Sequence, residues 1–242
     1  MVSKNQIKGI TALHHKKGRL AAGAFLAEGH KVIGEFLNAG FEPLAIYTTE
    51  GLFANQPTQT VTPDELKKMS ALTTANNCLA VFRMPIQGGL PNDGLIMALD
   101  DVRDPGNLGT IIRLCDWFGV ENLVCSNETA DCFNPKVVQA AMGSLARVKV
   151  HYTQLEDWLA RQPLEVFGTF MDGDPIYASH LPLRGIIVMG NEANGISPGV
   201  ERLVTRRITI PRFGKRRLTE SLNVATATAI VLSEFCRSQG PA

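Results

Sequence analysis

The run Gly94-Leu95-Ile96-Met97-Ala98-Leu99 is apolar at every position, and Gly185-Ile186-Ile187-Val188-Met189 repeats the pattern further along the chain. A strand with one wetted face alternates apolar and polar side chains, whereas an unbroken apolar run reads as a strand buried on both faces. Such strands belong to a parallel sheet covered by helices on each side, so the fold class is α/β. The intervening sequence supplies the alternation. Strands are expected at Leu123-Val124-Cys125, Val148–His151 and Glu165–Phe170, and helices at Leu108–Phe118, from Asn134-Pro135-Lys136 through Leu145, and at Leu155–Leu159. In the first helix Leu108, Ile111, Ile112 and Cys115 follow i, i+3, i+4, i+7, with Asn107 as the expected N-cap and Gly119 closing the helix. A short apolar strand ending at Ile210-Pro211 precedes an Ala-rich helix from about Leu222 to Arg237.

The first ninety or so residues form a second, smaller α/β module. A helix is expected over Ser3–Leu13, a strand at Gly23–Ala27, and a helix after Glu28-Gly29-His30 carrying Val32, Ile33, Phe36 and Leu37 and ending at Gly40. Strands near Leu44–Tyr47 and Leu79–Arg83 flank a helix that starts at Pro63-Asp64-Glu65. Met84 to Asp93 holds two prolines and two adjacent glycines, which suits a linker. The expected division is therefore a domain over 1–87, a linker over 88–93 and a second domain over 94–242.

Net charge is only +1, so a nucleic-acid surface has to come from local clustering. One cluster is His14-His15-Lys16-Lys17-Gly18-Arg19; no acidic residue precedes Glu28. It reads either as a solvated surface or as a phosphate-contacting one, without aromatic residues to stack bases. The five cysteines are odd in number and lack C-x-x-C spacing, which points to small core residues in a reducing compartment. No run approaches the ~20 apolar residues of a membrane span. A soluble, cytoplasmic protein without a membrane partner is expected, and no metal site.

Three loops carry the polar chemistry. Asp100-Asp101-Val102-Arg103-Asp104-Pro105-Gly106-Asn107 follows the first buried strand, and Gly190-Asn191-Glu192-Ala193-Asn194-Gly195-Ile196 follows the other. Loops at the C-terminal ends of parallel strands are where open α/β sheets bind ligands. Arg113 falls opposite the apolar stripe of its helix, which makes it either an ordinary exposed arginine or a ligand-facing one. Glu192 is either a turn residue or part of a site. No Gly-Lys-Ser/Thr and no G-x-G-x-x-G occurs in these loops, which argues against an NTPase or a dehydrogenase. The third loop lies in Ile208–Ile230, where a basic segment runs into Ser221-Leu222-Asn223. The final helix has two apolar stripes, one through Leu222, Ala225, Ala229, Leu232 and Cys236, the other through Val224, Ala227, Val231 and Phe235; the second implies another buried surface, such as a partner subunit.

The segments D-D-V-R-D-P-G-N-L-G-T-I-I-R, V-M-G-N-E-A-N-G-I-S and I-T-I-P-R-F-G…S-L-N-V-A-T-A-T-A-I together resemble the three motifs of the SpoU/TrmH family of RNA ribose 2′-O-methyltransferases. The first domain, with A-A-G-A-F-L-A-E-G-H-K-V-I-G-E-F-L, resembles the RNA substrate-binding domain that rRNA-directed members carry. The resemblance implies a SPOUT fold, a parallel sheet flanked by helices with a C-terminal trefoil knot, and a homodimer formed through the C-terminal domain. It also implies S-adenosylmethionine as methyl donor, lined by Met189, Gly190, Gly195, Ile210, Pro211 and Leu222. Asn107, Arg113, Glu192, Ser221 and Asn223 would form the catalytic site around the ribose. Eleven residues separate Ile210 from Leu222, more than the family's usual spacing, and Lys215, Arg216 and Arg217 in this loop are expected to reach RNA along with Lys16, Lys17 and Arg19. Ribosomal RNA is favoured over tRNA as substrate; the alternatives are a tRNA methyltransferase and a silent RNA-binding or ribosome-assembly module of the same fold.

Overall fold

Apolar strands separated by capped helices give two units, each with its own sheet. The computed structural model of the chain describes residues 2–53, 55–86, 88–214 and 221–237. Contacts group Met1–Gln87 with Asp131–Arg147 in one unit, and Gly88–Ala130 with Val148–Ala242 in the other. The placement of residues 131–147 differs from the expected division, because this stretch packs its side chains within the first unit.

The first unit contains α1 (Lys4–Ala12), α2 (Lys16–Ala22), β1 (Ala24–Glu28), α3 (His30–Asn38), β2 (Pro43–Thr48), β3 (Thr58–Thr60), α4 (Pro63–Met69) and β4 (Cys78–Arg83). Its sheet runs β1-β4-β2-β3, with β4 antiparallel to both neighbours and β3 parallel to β2. Period-two alternation splits β1 between two cores. Leu26 packs with Ile10, Leu13, Leu66 and Met69, while Phe25 meets Phe36, Phe82 and Phe133 at centroid distances of 5.1, 5.8 and 4.6 Å. Ser3 and Thr62 cap α1 and α4 through capping boxes with Gln6 and Glu65.

Arg19, expected on the RNA surface, is buried here at 2% exposure. Its Nη2 donates to Asp131 Oδ2 at 2.5 Å, and its Nη1 donates to the carbonyls of Leu13 and His14 at 2.9 and 3.0 Å. The fork satisfies carbonyls left open at the end of α1, so this arginine is structural. The helix expected to run through Leu145 stops as α6 (Pro135–Ala141). Met142 and Gly143 take positive φ of 52° and 94°, and a Cβ on Gly143 would lie 2.5 Å from Cγ of Glu35, so the backbone turns where only glycine fits.

The second unit contains β5 (Leu95–Leu99), α5 (Pro105–Trp117), β6 (Asn122–Ser126), β7 (Lys149–Thr153), α7 (Leu155–Leu159), β8 (Val166–Pro175), β9 (Gly185–Met189), α8 (Pro198–Glu201), β10 (Arg206–Thr209) and α9 (Val224–Cys236). Its six strands are all parallel in the order β10-β8-β9-β5-β6-β7. On one face Ile96, Ala98, Val124, Ile186 and Val188 meet Leu155, Trp158 and Val200 from α7 and α8. Alternate residues point the other way, where Phe167 of β8 meets Phe235 of α9 edge-on at 5.1 Å, and α9 packs along α5.

Two helix starts are corrected. The N-cap of α5 is Asp104, whose side chain accepts from Asn107 N–H, with Pro105 in the first turn; Asn107 therefore sits inside the helix. α9 begins at Val224 with Asn223 as N-cap, leaving Leu222 outside it. The residues α9 buries, Val224, Ala225, Thr228, Val231, Leu232 and Phe235, draw on both expected stripes. At 100° per residue they form one arc roughly 120° wide, so the unit itself covers them and the stripes do not call for a partner.

Candidate active site

From β5 the chain winds outward to β6 and β7, then builds β8, β9 and β10 on the other side of β5. Strand order therefore reverses between β9 and β5, and the loops leaving their C-terminal ends diverge around a crevice. Residues 100–107 leave β5, residues 190–197 leave β9, and residues 221–223 lead into α9. Hydrogen bonds join all three.

The floor is set by Asp100, which is buried. Its N–H donates to the carbonyl of Met189 at 2.9 Å, and its carboxylate accepts from Ser197 N–H at 2.7 Å, tying the end of β5 to both ends of the β9 loop. Asp101 follows with φ 61°, a left-handed conformation an aspartate tolerates. Ser126 Oγ accepts from its N–H at 3.0 Å, and Asn191 Nδ2 donates to its carbonyl at 2.7 Å. Asn191 Oδ1 accepts from Ala193 and Asn194 N–H, and the backbones of Asn191 and Gly195 exchange two 2.9 Å hydrogen bonds. This closure brings backbone onto backbone. A Cβ on Gly190 would stand 2.2 Å from the carbonyl carbon of Gly195, and Gly195 itself has φ 69°. Both glycines are needed for a loop this tight.

Above the floor runs a chain of amides. Asn223 Oδ1 accepts from Ala225 and Thr226 N–H at 3.0 and 3.2 Å, the N-cap of α9. That fixes which end of the amide faces outward: Asn223 Nδ2 donates to Asn107 Oδ1 at 2.9 Å. Asn107 Nδ2 in turn donates to Glu192 Oε1 at 2.8 Å. The polarity follows from the helix cap and ends on a carboxylate oxygen, which only accepts. Among the described residues, no hydrogen bond engages Glu192 Oε2.

Three of the five expected catalytic residues, Asn107, Glu192 and Asn223, are thus brought together. Ser221 is exposed two residues before Asn223, without a hydrogen bond among the described residues. Arg113 lies two α5 turns beyond Asn107, exposed and with no hydrogen bond or ion pair among the described residues. Of the expected cofactor residues, Met189 is buried at the end of β9, Gly190 and Gly195 close the loop, Ile210 and Pro211 are half-buried past β10, and Leu222 is 48% exposed. Lys16 and Lys17 are exposed in the first turn of α2. Lys215, Arg216 and Arg217 lie outside the described residues.

Sequence reading missed Asp100, Asp101 and Asn191, which shape the crevice. The signal was present in the acidic pair at the C-terminal end of a doubly buried strand, where Arg103 pairs with Asp101 but leaves Asp100 to the loop backbone. Burial pushes the thiol of Cys115, on the core face of α5, up to about 12, and that of Cys78 in the first unit up to about 11.

The SpoU rRNA Methylase family model matches residues 94–233, and the MRM3-like substrate binding domain model matches residues 4–80. The 23S rRNA (guanosine(2553)-2′-O)-methyltransferase RlmP of Bacillus subtilis (strain 168) is 30% identical, across 95% of this chain and 96% of that protein. A 23S rRNA (uridine(2479)-2′-O)-methyltransferase of Streptomyces viridochromogenes is 28% identical across 94% of this chain and 87% of its own length. Among solved structures, one described as an RNA methyltransferase of the TrmH family from Porphyromonas gingivalis superposes with a TM-score of 0.89 at 40% identity, covering 98% of this chain and 99% of that one. An AdoMet-bound rRNA methyltransferase from Sinorhizobium meliloti superposes with a TM-score of 0.85 at 27% identity, covering 100% and 98%.

Proposed function

The chain belongs to the SpoU rRNA methylase family, and from that premise we propose that it methylates a ribose 2′-hydroxyl of ribosomal RNA with S-adenosylmethionine as donor. The observation that carries this reading is the amide chain Asn223–Asn107–Glu192, which joins all three motif loops at the point where strand order reverses. The names of the relatives favour 23S rRNA over tRNA.

The cofactor residues fit a donor that is cationic and largely apolar. Gly190 and Gly195 expose backbone, and Ile210, Pro211 and the uncovered Leu222 offer apolar walls. The loop has none of the glycine–lysine patterning that would hold a phosphate chain. Met189, Gly190, Gly195, Ile210, Pro211 and Leu222 would hold the donor. When bound, it supplies a methyl group made electrophilic by the sulfonium charge.

The chain's own residues handle the hydroxyl. Asn107 occupies Oε1 of Glu192 and leaves Oε2 open as a hydrogen-bond acceptor for the 2′-hydroxyl and its proton. Asn223 holds Asn107 in the amide orientation this requires. A guanidinium keeps its proton at any working pH, so Arg113 serves as a cation for the RNA phosphate and for charge developing on the attacking oxygen. Ser221, exposed beside Leu222, supplies a hydroxyl at the same rim.

A homodimer through the second unit completes the reading. Gly106, Thr110, Arg113 and Trp117 form an exposed stripe along α5, and Trp117 is 83% exposed. An indole left in water one turn beyond a candidate catalytic arginine suits a face that a second copy covers. Among the described residues no helix is long and apolar enough to cross a membrane, which is compatible with action on ribosomal RNA in the cytoplasm.

The test is methyl transfer from labelled S-adenosylmethionine to rRNA and, separately, tRNA from cells lacking this protein, followed by mass mapping of the modified nucleotide. A single 2′-O-methylated rRNA nucleotide is the expected result. Methylation of tRNA alone would redirect the assignment, and calorimetric binding of the donor without transfer to either RNA would leave a silent module.

A further inference from the structure

A groove of about 540 Å³ opens on the first unit beside α4, lined in part by Thr49, Asp64, Lys67, Thr73, Asn76 and Asn77. That is ample for one nucleotide. An aromatic pair stands beside it. His30, exposed in the first turn of α3, stacks on Phe53 with ring centroids 5.0 Å apart and planes 29° from parallel. The link between pair and groove runs through Asn76. Asn76 carries its amide over Gly29, the neighbour of His30, with Nδ2 3.3 Å from where a Cβ on Gly29 would stand.

Two further features set this corner apart from an ordinary loop cluster. Phe53 has φ 61°, a conformation that costs a bulky residue on the order of 1–3 kcal/mol. The loop carrying it is held there by the buried Thr48, whose Oγ1 accepts from Glu50 and Leu52 N–H, and by Gln56 N–H donating to the carbonyl of Phe53. The amides are also unequally used. Asn77 Nδ2 donates to Glu50 Oε2 at 2.9 Å. Asn76, Thr73 and Thr74 make no side-chain hydrogen bond among the described residues, although Asn76 is half-buried.

We infer that this corner takes one unstacked nucleobase of the RNA substrate, the base stacking on the outer face of His30 and its edge meeting Asn76. The inference rests on the proposal that the substrate is RNA. A single-stranded or extruded nucleotide offers the two things this corner can use, a π-face and a hydrogen-bonding edge. A ring already backed by a second ring is a firm stacking platform, and an open amide pairs donor and acceptor with a base edge. Lys67, on the groove wall, and Lys31, exposed one residue beyond His30, stand where phosphates on either side of such a base would pass.

The experiment measures binding and transfer on the same variants of the full chain. In vitro transcribed 23S rRNA is titrated by filter binding, and labelled methyl transfer is followed as a function of its concentration. His30→Ala and Asn76→Ala should each weaken binding and raise the apparent KM for the rRNA roughly tenfold, the size of one lost stacked base. The rate at saturating rRNA and the affinity for S-adenosylmethionine should not change. His30→Phe keeps a ring over Phe53 and should bind like the unaltered protein, which separates a stacking role from a merely structural one. Unaltered binding by both alanine variants would overturn the site while transfer by the parent chain upheld the enzyme. Binding that depends on His30 without any transfer would uphold the site and overturn the enzyme. A parent chain that does not bind the rRNA would overturn both.

Discussion

Arg19 and Arg113 look alike in sequence. Each lies on a helix near other polar residues, and each was expected to meet RNA. The folded chain treats them as opposites. Arg19 is 2% exposed and spends its guanidinium on Asp131 and on the carbonyls of Leu13 and His14. Arg113 is exposed and has no partner among the described residues. A buried guanidinium with filled donors stabilises a fold; an exposed one with all donors open is available to a ligand. What separates them is a partner 112 residues away from Arg19, which no local pattern reveals.

Removing Arg19 should have the largest effect, and it should fall on stability. Arg19→Ala strips Asp131 of its ion pair and the carbonyls of Leu13 and His14 of their donor, a loss of about 3–5 kcal/mol for breaking a buried pair. The urea midpoint of the first unit should drop, while RNA affinity of the protein that remains folded should be unchanged. A wild-type midpoint combined with weakened RNA binding would return Arg19 to the surface role and break the contrast. Arg113→Ala should do the reverse. Losing one group that meets developing charge lowers the methyl-transfer rate by roughly 10²–10³-fold. The melting temperature and the calorimetric affinity for S-adenosylmethionine should stay close to wild type, as for an exposed residue without partners. Collapse of either would make Arg113 structural as well.

Much of the second unit's frame was legible because its cause is local. The apolar runs over 95–99 and 185–189 became β5 and β9, neighbours at the centre of the sheet. Of the five cysteines expected as small core residues, Cys78, Cys115, Cys125 and Cys132 are buried and Cys236 is half-buried. The start of α5 was legible too but misread: Asp104-Pro105 is the stronger start signal, with an acceptor at the N-cap and proline in the first turn, and it displaces Asn107 into the helix. That displacement matters for the site, because an N-cap asparagine would have spent its side chain on its own helix. Here Asp104 does the capping and frees Asn107 to reach both Glu192 and Asn223. What stayed hidden is long-range. Arg19–Asp131, Asn191–Asp101 and Ser197–Asp100 depend on strand order, and residues 131–147 pack with the first unit although they interrupt the sheet of the second.

Asn223 lies between the two arginines in character, since it holds α9 and the site with one amide. Asn223→Ala should cost about 1 kcal/mol of stability through the lost cap, in addition to a fall in transfer rate. Asn223→Asp keeps a capping oxygen but turns an acceptor, not a donor, towards Asn107. It should therefore retain most of the stability and still lose transfer. Thermal melts and rates measured on both variants separate the two roles; an aspartate variant with full activity would show that the amide chain does not position Glu192.

The smallest effect extends the contrast to a buried group that must stay neutral. His151 is 5% exposed on β7, with Asn122 Oδ1 3.3 Å from its Nε2. Burial, and then the charge of Lys149, hold its imidazole below the ordinary value. The unfolded chain therefore takes up this proton before the folded one does. Above the ordinary histidine value of about 6.5 the group costs nothing; as pH falls below it, stability declines until the folded imidazole also protonates. Arg19 is buried charged because donors and acceptors match around it, whereas among the described residues the His151 ring has one hydrogen-bond partner, Asn122, and no ion pair. The melting temperature of the wild type should accordingly drop more between pH 7.5 and 5.5 than that of His151→Gln, which does not titrate. Parallel pH profiles for the two proteins would mean that water or a carboxylate already reaches the imidazole in the folded state.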